Sequence, residues 1–410
     1  MKHKRLTYWL FLILLLQPFF VVAQKISVSI FNEAPLSSLL ITPSRGQYRL
    51  IMDDTSLAVA TNQLIYITRV GDSISVRDAS CNLGVCARVA LVGLSGNDLL
   101  RVKPIMPSLP ARLYDDNMNF YIDYNRIMAI NLIEQEKYVA AVVEAEGGYN
   151  RALEFYRAQA ILVRTYLYAN LHRHAEEGFN LCDAVHCQAY KGRSESNRVF
   201  DATSDTRDLI IVDSEGKPIA AAFHANCGGH TANSGDVWVS SMPYLIGVPD
   251  KFCSGGRGAV WQQRIPLSKW YKFLSLQGVD TSRIKTSDLN FTQKTRQKYY
   301  VVNGVSIQTT KVREYFKLKS AWFNVSVHRN EVRLAGRGYG HGVGLCQEGA
   351  MAMAAKGWTY ERIIDYYYKD VRIVNSSTLH RLNDGEITTN QNDTLSKNQS
   401  EQTEATMRLY

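Results

Sequence analysis

The sequence predicts an α+β protein, with a small β-rich N-terminal domain preceding a larger domain of mixed strands and helices. Three observations carry this. Residues 24–110 hold short runs of Val, Ile, Thr and Tyr separated by Gly, Asp, Asn and Ser, the texture of strands and turns. Residues 134–146 change to a helical spacing of apolar side chains that stops at Gly147-Gly148, as a helix C-terminus does. Residues 200–340 then return to strands and loops.

The chain begins Met1-Lys2-His3-Lys4-Arg5, an apolar run extends from Tyr8 to Val22, and Val21-Val22-Ala23 precedes Gln24. A basic head, a short apolar core and small residues before a cut describe a secretory signal peptide over residues 1–23. Gln17 and Pro18 interrupt the run, which is short for a membrane anchor. Cleavage after Ala23 and export to the periplasm or cell envelope are therefore expected, and no later stretch reads as a transmembrane span.

In the 24–110 module, strands are expected at Lys25–Phe31, Tyr48–Met52, Leu64–Thr68 and Ala87–Val92. Pro104, Pro107 and Pro110 read as a linker. The 111–375 domain opens with strands at Asn119–Asp123 and Arg126–Asn131. A helix over Glu134–Glu146 follows, with apolar Tyr138, Val139, Val142 and Val143. A second helix is expected to start at Asn150, a good N-cap, and to run to about His172. Two more helices are expected over Gln347–Lys356 and Tyr360–Tyr368. Residues 376–410 are polar and poor in core-forming side chains, and read as a disordered tail.

The net charge of +9 falls to +6 once Lys2, Lys4 and Arg5 leave with the signal peptide. That modest basicity suits an anionic wall or membrane surface. Basic residues form no stripe interleaved with aromatics, so nucleic acid is not an expected partner.

Four blocks carry chemistry. In the first, Glu146 ends its helix, where the helix dipole disfavours a carboxylate and should raise its pKa toward that of a general acid. Glu144, two residues earlier, points to another face. Arg157 and Arg164, seven apart on the next helix, share a face and could position a polar substrate or simply lie on a solvated surface. In the second block, His174, Cys182, His186 and Cys187 fall within fourteen residues. Two thiols and two imidazoles suit one tetrahedral structural zinc ion. His172 is an alternative to His174, and a Cys182–Cys187 disulfide is the competing arrangement.

The third block runs from Phe223-His224 through Cys227-Gly228-Gly229 to Trp238 and Pro243-Tyr244-Leu245. It reads as a tight turn beside a groove, or as ordinary turn and core, with a Cys227–Cys253 disulfide open. The fourth, Gly336 to Ala350, alternates glycine around His341 and matches neither the dinucleotide nor the P-loop spacing. His341 is either a site residue or a satisfied core histidine. The seven cysteines are Cys81, Cys86, Cys182, Cys187, Cys227, Cys253 and Cys346, and an odd count leaves at least one outside any disulfide.

In their order these blocks resemble the stage II sporulation protein D/LytB family (SpoIID domain). The resemblance runs from Arg112-Leu-Tyr114 and Ile130-Asn131 through the Glu146 helix, Arg157-Ala-Gln159, Arg164-Thr165-Tyr166 and Cys182–Cys187. It continues through Cys227-Gly-Gly, Pro243-Tyr-Leu and Arg313…Leu318-x-Ser320-x-x-Phe323 to Gly340-His-Gly-Val-Gly and Gln347-x-Gly-Ala. It implies a SpoIID-type catalytic domain and a peptidoglycan lytic transglycosylase. Such an enzyme cleaves the MurNAc–GlcNAc β-1,4 bond of glycan strands without water and leaves a 1,6-anhydroMurNAc end. A related branch is described as enhancing a wall amidase, which makes an amidase a second implied partner.

By the resemblance, Glu146 is the catalytic residue, and Arg157, Arg164, Tyr244 and His341 are the substrate-binding candidates. His174, Cys182, His186 and Cys187 resemble the ligands of the zinc-binding members. Arg157 stands where the family has Lys, and Gly147-Gly148 where Met-Pro is usual. A single glutamate suits this chemistry, because the C6 hydroxyl of the sugar takes the role that a second carboxylate plays in ordinary glycosidases.

Overall fold

The computed structural model describes residues 24–379 except Val185. The expected signal peptide, residues 1–23, and most of the expected polar tail, residues 376–410, lie outside the described residues. Two sheets dominate the N-terminal half. The larger has seven strands in the spatial order Leu181–Cys182, Lys25–Ile30, Arg126–Glu134, Asn117–Asp123, Arg88–Gly93, Tyr48–Met52 and Thr55–Val59. The smaller has six, in the order Arg112–Asp115, Leu99–Met106, Ser38–Arg45, Ile65–Val70, Ser73–Arg77 and Asn82–Cys86. Alternate side chains such as Leu39, Ile41, Ile67 and Val76 from one sheet and Tyr48, Leu50, Val89 and Leu91 from the other enter a single apolar core.

That core corrects the expected boundary at residue 110. Leu99–Met106 and Arg112–Asp115 pair antiparallel across the proline-containing segment, which is therefore an internal turn and not a linker. Lys25–Ile30 pairs with Arg126–Glu134 and also, in parallel, with Leu181–Cys182. The first strand of the expected N-terminal module thus lies inside the sheet that carries the site.

Strand Arg126–Glu134 feeds directly into helix α1, Gln135–Gly147. Its Tyr138, Val139, Val142 and Val143 are fully buried, as their helical spacing requires. Gly148 ends the helix with φ near 70°, a backbone state open to glycine. Helix α2 spans Leu153–Ala169 and starts later than expected. Asn150 is not its cap: it sits in a left-handed turn, while Ala152 takes the cap position with no side-chain bond. Helix α3, Asn197–Asp205, is capped by Ser196 and packs on α1 and α2.

Residues 260–337 form a lobe with its own apolar core. Strands Val260–Pro266, Glu331–Arg337 and Phe323–His328 make a three-stranded sheet. Trp270 from α4 (Leu267–Leu276) stacks on Phe316 of α5 (Thr309–Phe316). The expected 111–375 domain is therefore interrupted by an insertion. The chain returns to the main core through α6, Gln347–Ala355, and α7, Tyr360–Tyr367. The final strand Arg372–Asn375 pairs with Leu209–Val212. Ser376, expected at the head of the tail, is buried, and its backbone N–H donates to Asp208 O at 2.8 Å. Among the described residues no helix is long and apolar enough to cross a membrane.

Candidate functional site

A half-open cavity of about 460 Å³ lies where α1 ends. Glu146 lines it, together with Tyr166 of α2, the His186–Gln188 loop, the Ala220–Ala225 segment, Trp238, Met242, Tyr339–His341 and Gln347. The lining is mostly aromatic and aliphatic, and Glu146 supplies its one carboxylate among the described residues. Glu146 accepts a hydrogen bond from Ala189 N at 3.1 Å. Gln347, at the start of α6, donates to the backbone carbonyl of Glu146 at 3.3 Å, which satisfies one of the carbonyls left open at a helix end.

The Glu146 carboxyl is held above its ordinary range, chiefly because burial disfavours the charged form. The Ala189 N–H and the Lys191 cation work against that shift. The direction matches the sequence expectation, but removal from water, rather than the helix dipole, is the main cause. Glu144 faces elsewhere, as expected: its Oε2 takes the Ser194 hydroxyl and the N–H groups of Glu195 and Ser196, at 2.9 and 3.0 Å for the two amides.

Of the four residues expected to bind substrate, only His341 lines the cavity. Its Nδ1 accepts from Val343 N at 3.1 Å and its Nε2 donates to Phe223 O at 2.8 Å. Both contacts fix one neutral tautomer, and burial pushes the ring pKa down to about 4. His341 therefore shapes the wall and carries no charge at neutral pH.

Arg157 and Arg164, expected as substrate-binding residues, do not line the cavity, and their guanidinium groups are engaged elsewhere. Arg157 pairs with Glu154 one turn away and with Asp205 at 2.5 Å on α3. Arg164 is wholly buried and grips Glu136 through Nε and Nη2 at 2.8 and 2.6 Å, with Nη1 on Leu209 O. Tyr244 sits behind the wall: its hydroxyl accepts from Ala220 N at 3.1 Å and donates to Met242 Sδ at 3.4 Å. It supports two lining residues without lining the cavity itself.

Two lining residues escaped the sequence reading. Gln188 is buried and takes the Tyr138 hydroxyl on Oε1 at 3.1 Å, while its Nε2 has no partner among the described residues. His224 is buried and binds Val343 O through Nδ1 at 3.0 Å, while its Nε2 is likewise unpartnered. A buried polar atom without a partner is costly, so these two atoms stand out among the polar groups of the lining residues. His224 stood in a block already singled out. Gln188 had no local signal beyond its place next to Cys187.

His174, Cys182, His186 and Cys187 converge, with one ligand atom from each lying within 4.8 Å of the others. His186 Nε2 is 3.3 Å from Cys182 Sγ and 3.3 Å from His174 Nε2, which is 3.4 Å from Cys187 Sγ. His172 is exposed, so His174 is the converging imidazole. Its Nδ1 meets Glu177 Oε1 at 2.5 Å, the outer carboxylate that orients a ligating imidazole. The hydrogen bond from Cys182, then those from the two imidazoles, draw Cys187 toward the thiolate against the effect of burial. The donor set fits a tetrahedral divalent ion. The loop that holds it continues from Cys187 into Ala189, whose N–H contacts Glu146.

The family model for the stage II sporulation protein, SpoIID, matches residues 123–212, which include α1, Glu146 and the His/Cys cluster. The chain is 29% identical to stage II sporulation protein D of Bacillus subtilis over 268 residues, covering 60% of this chain and 76% of that one. It is 27% identical to the protein of the same name from Bacillus amyloliquefaciens over 263 residues, 60% of this chain and 75% of that one. It is also 26% identical to the amidase enhancer of Bacillus subtilis over 270 residues, 53% of this chain and 37% of that longer protein. The matched span, which holds Glu146 and the His/Cys cluster, and these relatives support the SpoIID/LytB family for this chain.

Proposed function

We propose that this protein is a peptidoglycan lytic transglycosylase of the cell envelope, with Glu146 as its acid and base. The observation that carries the reading is a single carboxylate, raised in pKa by burial, in a cavity with no second carboxylate among the described lining residues. Protonated Glu146 gives its proton to the bridging oxygen as the MurNAc C1–O bond breaks. The C6 hydroxyl oxygen of the same MurNAc bonds to C1, and its proton passes to the Glu146 carboxylate. The acid is restored, no water is consumed, and the products are a GlcNAc 4-hydroxyl and a 1,6-anhydroMurNAc end. Gln188 Nε2 and His224 Nε2 offer a donor and an acceptor to polar groups of the sugar, and Trp238 and Tyr339 offer aromatic surface.

His174, Cys182, His186 and Cys187 would hold one structural zinc ion, whose four protein ligands leave no open position for chemistry. Its contribution is to fix the loop from Cys187 to Ala189 and so the N–H that orients Glu146. Export through a cleaved signal peptide belongs to the same reading, because the substrate lies outside the cytoplasm. The test is digestion of purified glycan strands, with and without stem peptides. The wild type should release anhydro-muropeptides and Glu146→Gln should not. No such products from wild type, or an equal yield from the variant, would overturn the proposal.

The likeness to the amidase enhancer supports a second reading, in which the chain recruits or activates a wall amidase. An amidase pull-down separates the two. A pure scaffold stimulates the amidase equally well as wild type or Glu146→Gln.

A further inference from the structure

We infer that Cys227, Asp250, Cys253 and Cys346 form a second metal site, closed and structural, which takes one zinc ion. The four residues are buried, and one ligand atom from each lies within 4.8 Å of the others. Cys227 Sγ is 3.4 Å from Cys253 Sγ and 3.3 Å from Asp250 Oδ2. A tetrahedron with Zn–S bonds of about 2.3 Å has edges of roughly 3.8 Å, so a small inward or outward adjustment places an ion at the centre. Three sulfurs and one carboxylate oxygen select zinc over magnesium or calcium, which prefer all-oxygen shells.

The surroundings hold these groups in position. Cys227 N–H donates to Cys346 Sγ at 3.2 Å. Asp250 receives the Tyr367 hydroxyl on Oδ2 at 2.9 Å and the Phe252 N–H on Oδ1 at 2.8 Å. These two donors hold the carboxyl group in place beside the three sulfurs. Arg296 reaches the backbone of the same turn, donating to Cys227 O at 2.7 Å. Gly349 is part of the arrangement: a Cβ there would come within 2.2 Å of Asp250 Oδ2, so glycine lets α6 close over the carboxylate. A Cys227–Cys253 disulfide would use two of the thiols and leave Cys346 and Asp250 without a role in the cluster.

The ion would tie two segments of the cavity wall to the Asp250–Cys253 turn. Cys227 follows His224 by three residues, Cys346 precedes Gln347, and the Asp250–Cys253 turn joins them. None of these ligands belongs to the His174 cluster, so the two sites can be emptied separately.

The experiment is metal analysis of the full mature chain purified without chelator, beside peptide mapping of the unreduced protein. A variant carrying His174→Ala and Cys182→Ser, in which the first cluster is broken, should still bind one zinc per chain. The same protein loaded with cobalt(II) should show thiolate-to-cobalt absorption. Adding Cys346→Ser or, independently, Asp250→Ala to that variant should remove the ion and the absorption. A cross-linked peptide joining Cys227 and Cys253, or no metal in the His174/Cys182 variant while wild type retains one ion, would overturn the inference. Failure of the first site alone appears differently, as a wild type with one ion that survives the His174/Cys182 changes.

Discussion

The two cysteine clusters differ in how they are built. His174, Cys182, His186 and Cys187 come from one short stretch of chain, and His186 and Cys187 open onto the cavity beside Glu146. Cys227, Asp250, Cys253 and Cys346 come from three segments, with Cys227 and Cys346 lying 119 residues apart, and all four are buried. The first cluster shapes a loop that lines the cavity and continues to the Ala189 N–H on Glu146. The second ties distant backbone together. Arg157 and Arg164 repeat the contrast on one helix. Arg157 is partly exposed and its ion pairs lie at the surface, whereas Arg164 is buried and ties α2 to Glu136 of α1. Position relative to the core, more than residue type, decides whether such a group tunes the site or holds the frame.

This contrast can be broken or sharpened by measurement. The largest effect belongs to the site itself: Glu146→Gln should lower release of anhydro-muropeptides by about 10²- to 10⁴-fold, the usual weight of a general acid–base, in a protein that still folds. On the frame side, Arg164→Met leaves Glu136 buried and unpaired, so urea unfolding should show a loss of about 3–5 kcal/mol. Activity per folded molecule should be retained. If Arg164→Met instead abolished turnover in a stable protein, the assignment of Arg164 to the frame would fail.

Next comes Glu177→Gln, which removes the carboxylate from His174 Nδ1. Zinc retention at the first cluster should weaken by about 10- to 100-fold, read by competition with a chelator, while the second cluster keeps its ion. Loosening this loop also weakens the Ala189 N–H bond that lowers the Glu146 pKa. The alkaline limb of the pH–activity profile should therefore move to higher pH.

A smaller effect concerns stability. The folded pKa of Glu146 lies above its unfolded value. Its protonated form therefore favours folding at low pH, and that contribution is lost as pH rises through the folded pKa. Glu146→Gln should match wild type in acid and become more stable as pH approaches neutrality, by roughly 0.5–2 kcal/mol. A series of thermal melts would detect it, and a variant less stable than wild type at neutral pH would contradict it. The smallest effect is that of Arg157→Ala, whose partly exposed pairs should account for no more than about 1 kcal/mol in urea unfolding.

Much of the site was readable from local spacing. The period of Tyr138, Val139, Val142 and Val143 placed α1 to within a residue at each end, and Gly147-Gly148 placed Glu146 at its exit. The His174–Cys187 spacing was legible because loop ligands close in sequence have few ways to be far apart. Other expectations failed where long-range packing prevailed over local preference. Asn150 has the side chain of a cap, yet the turn after α1 puts it in a left-handed conformation. The Pro104–Pro110 stretch has the composition of a linker, yet the strands on either side pair within one sheet. Arg157 and Arg164 keep helical spacing, but nothing local says that α3 and Glu136 would claim them.

By itself, the sequence determined the α+β character, the α1 helix and its terminal glutamate, and the grouping of His174, Cys182, His186 and Cys187. Each of these depends on neighbours within a few turns of chain. Only the tertiary structure decided that Gln188 and His224, each with an unpartnered polar atom, line the same cavity as Glu146 and that Arg164 is sealed in the core. It alone brought Cys227, Asp250, Cys253 and Cys346 together. Burial and long-range pairing are properties of the whole packed chain, and a buried carboxyl has its working pKa only after that packing has excluded water.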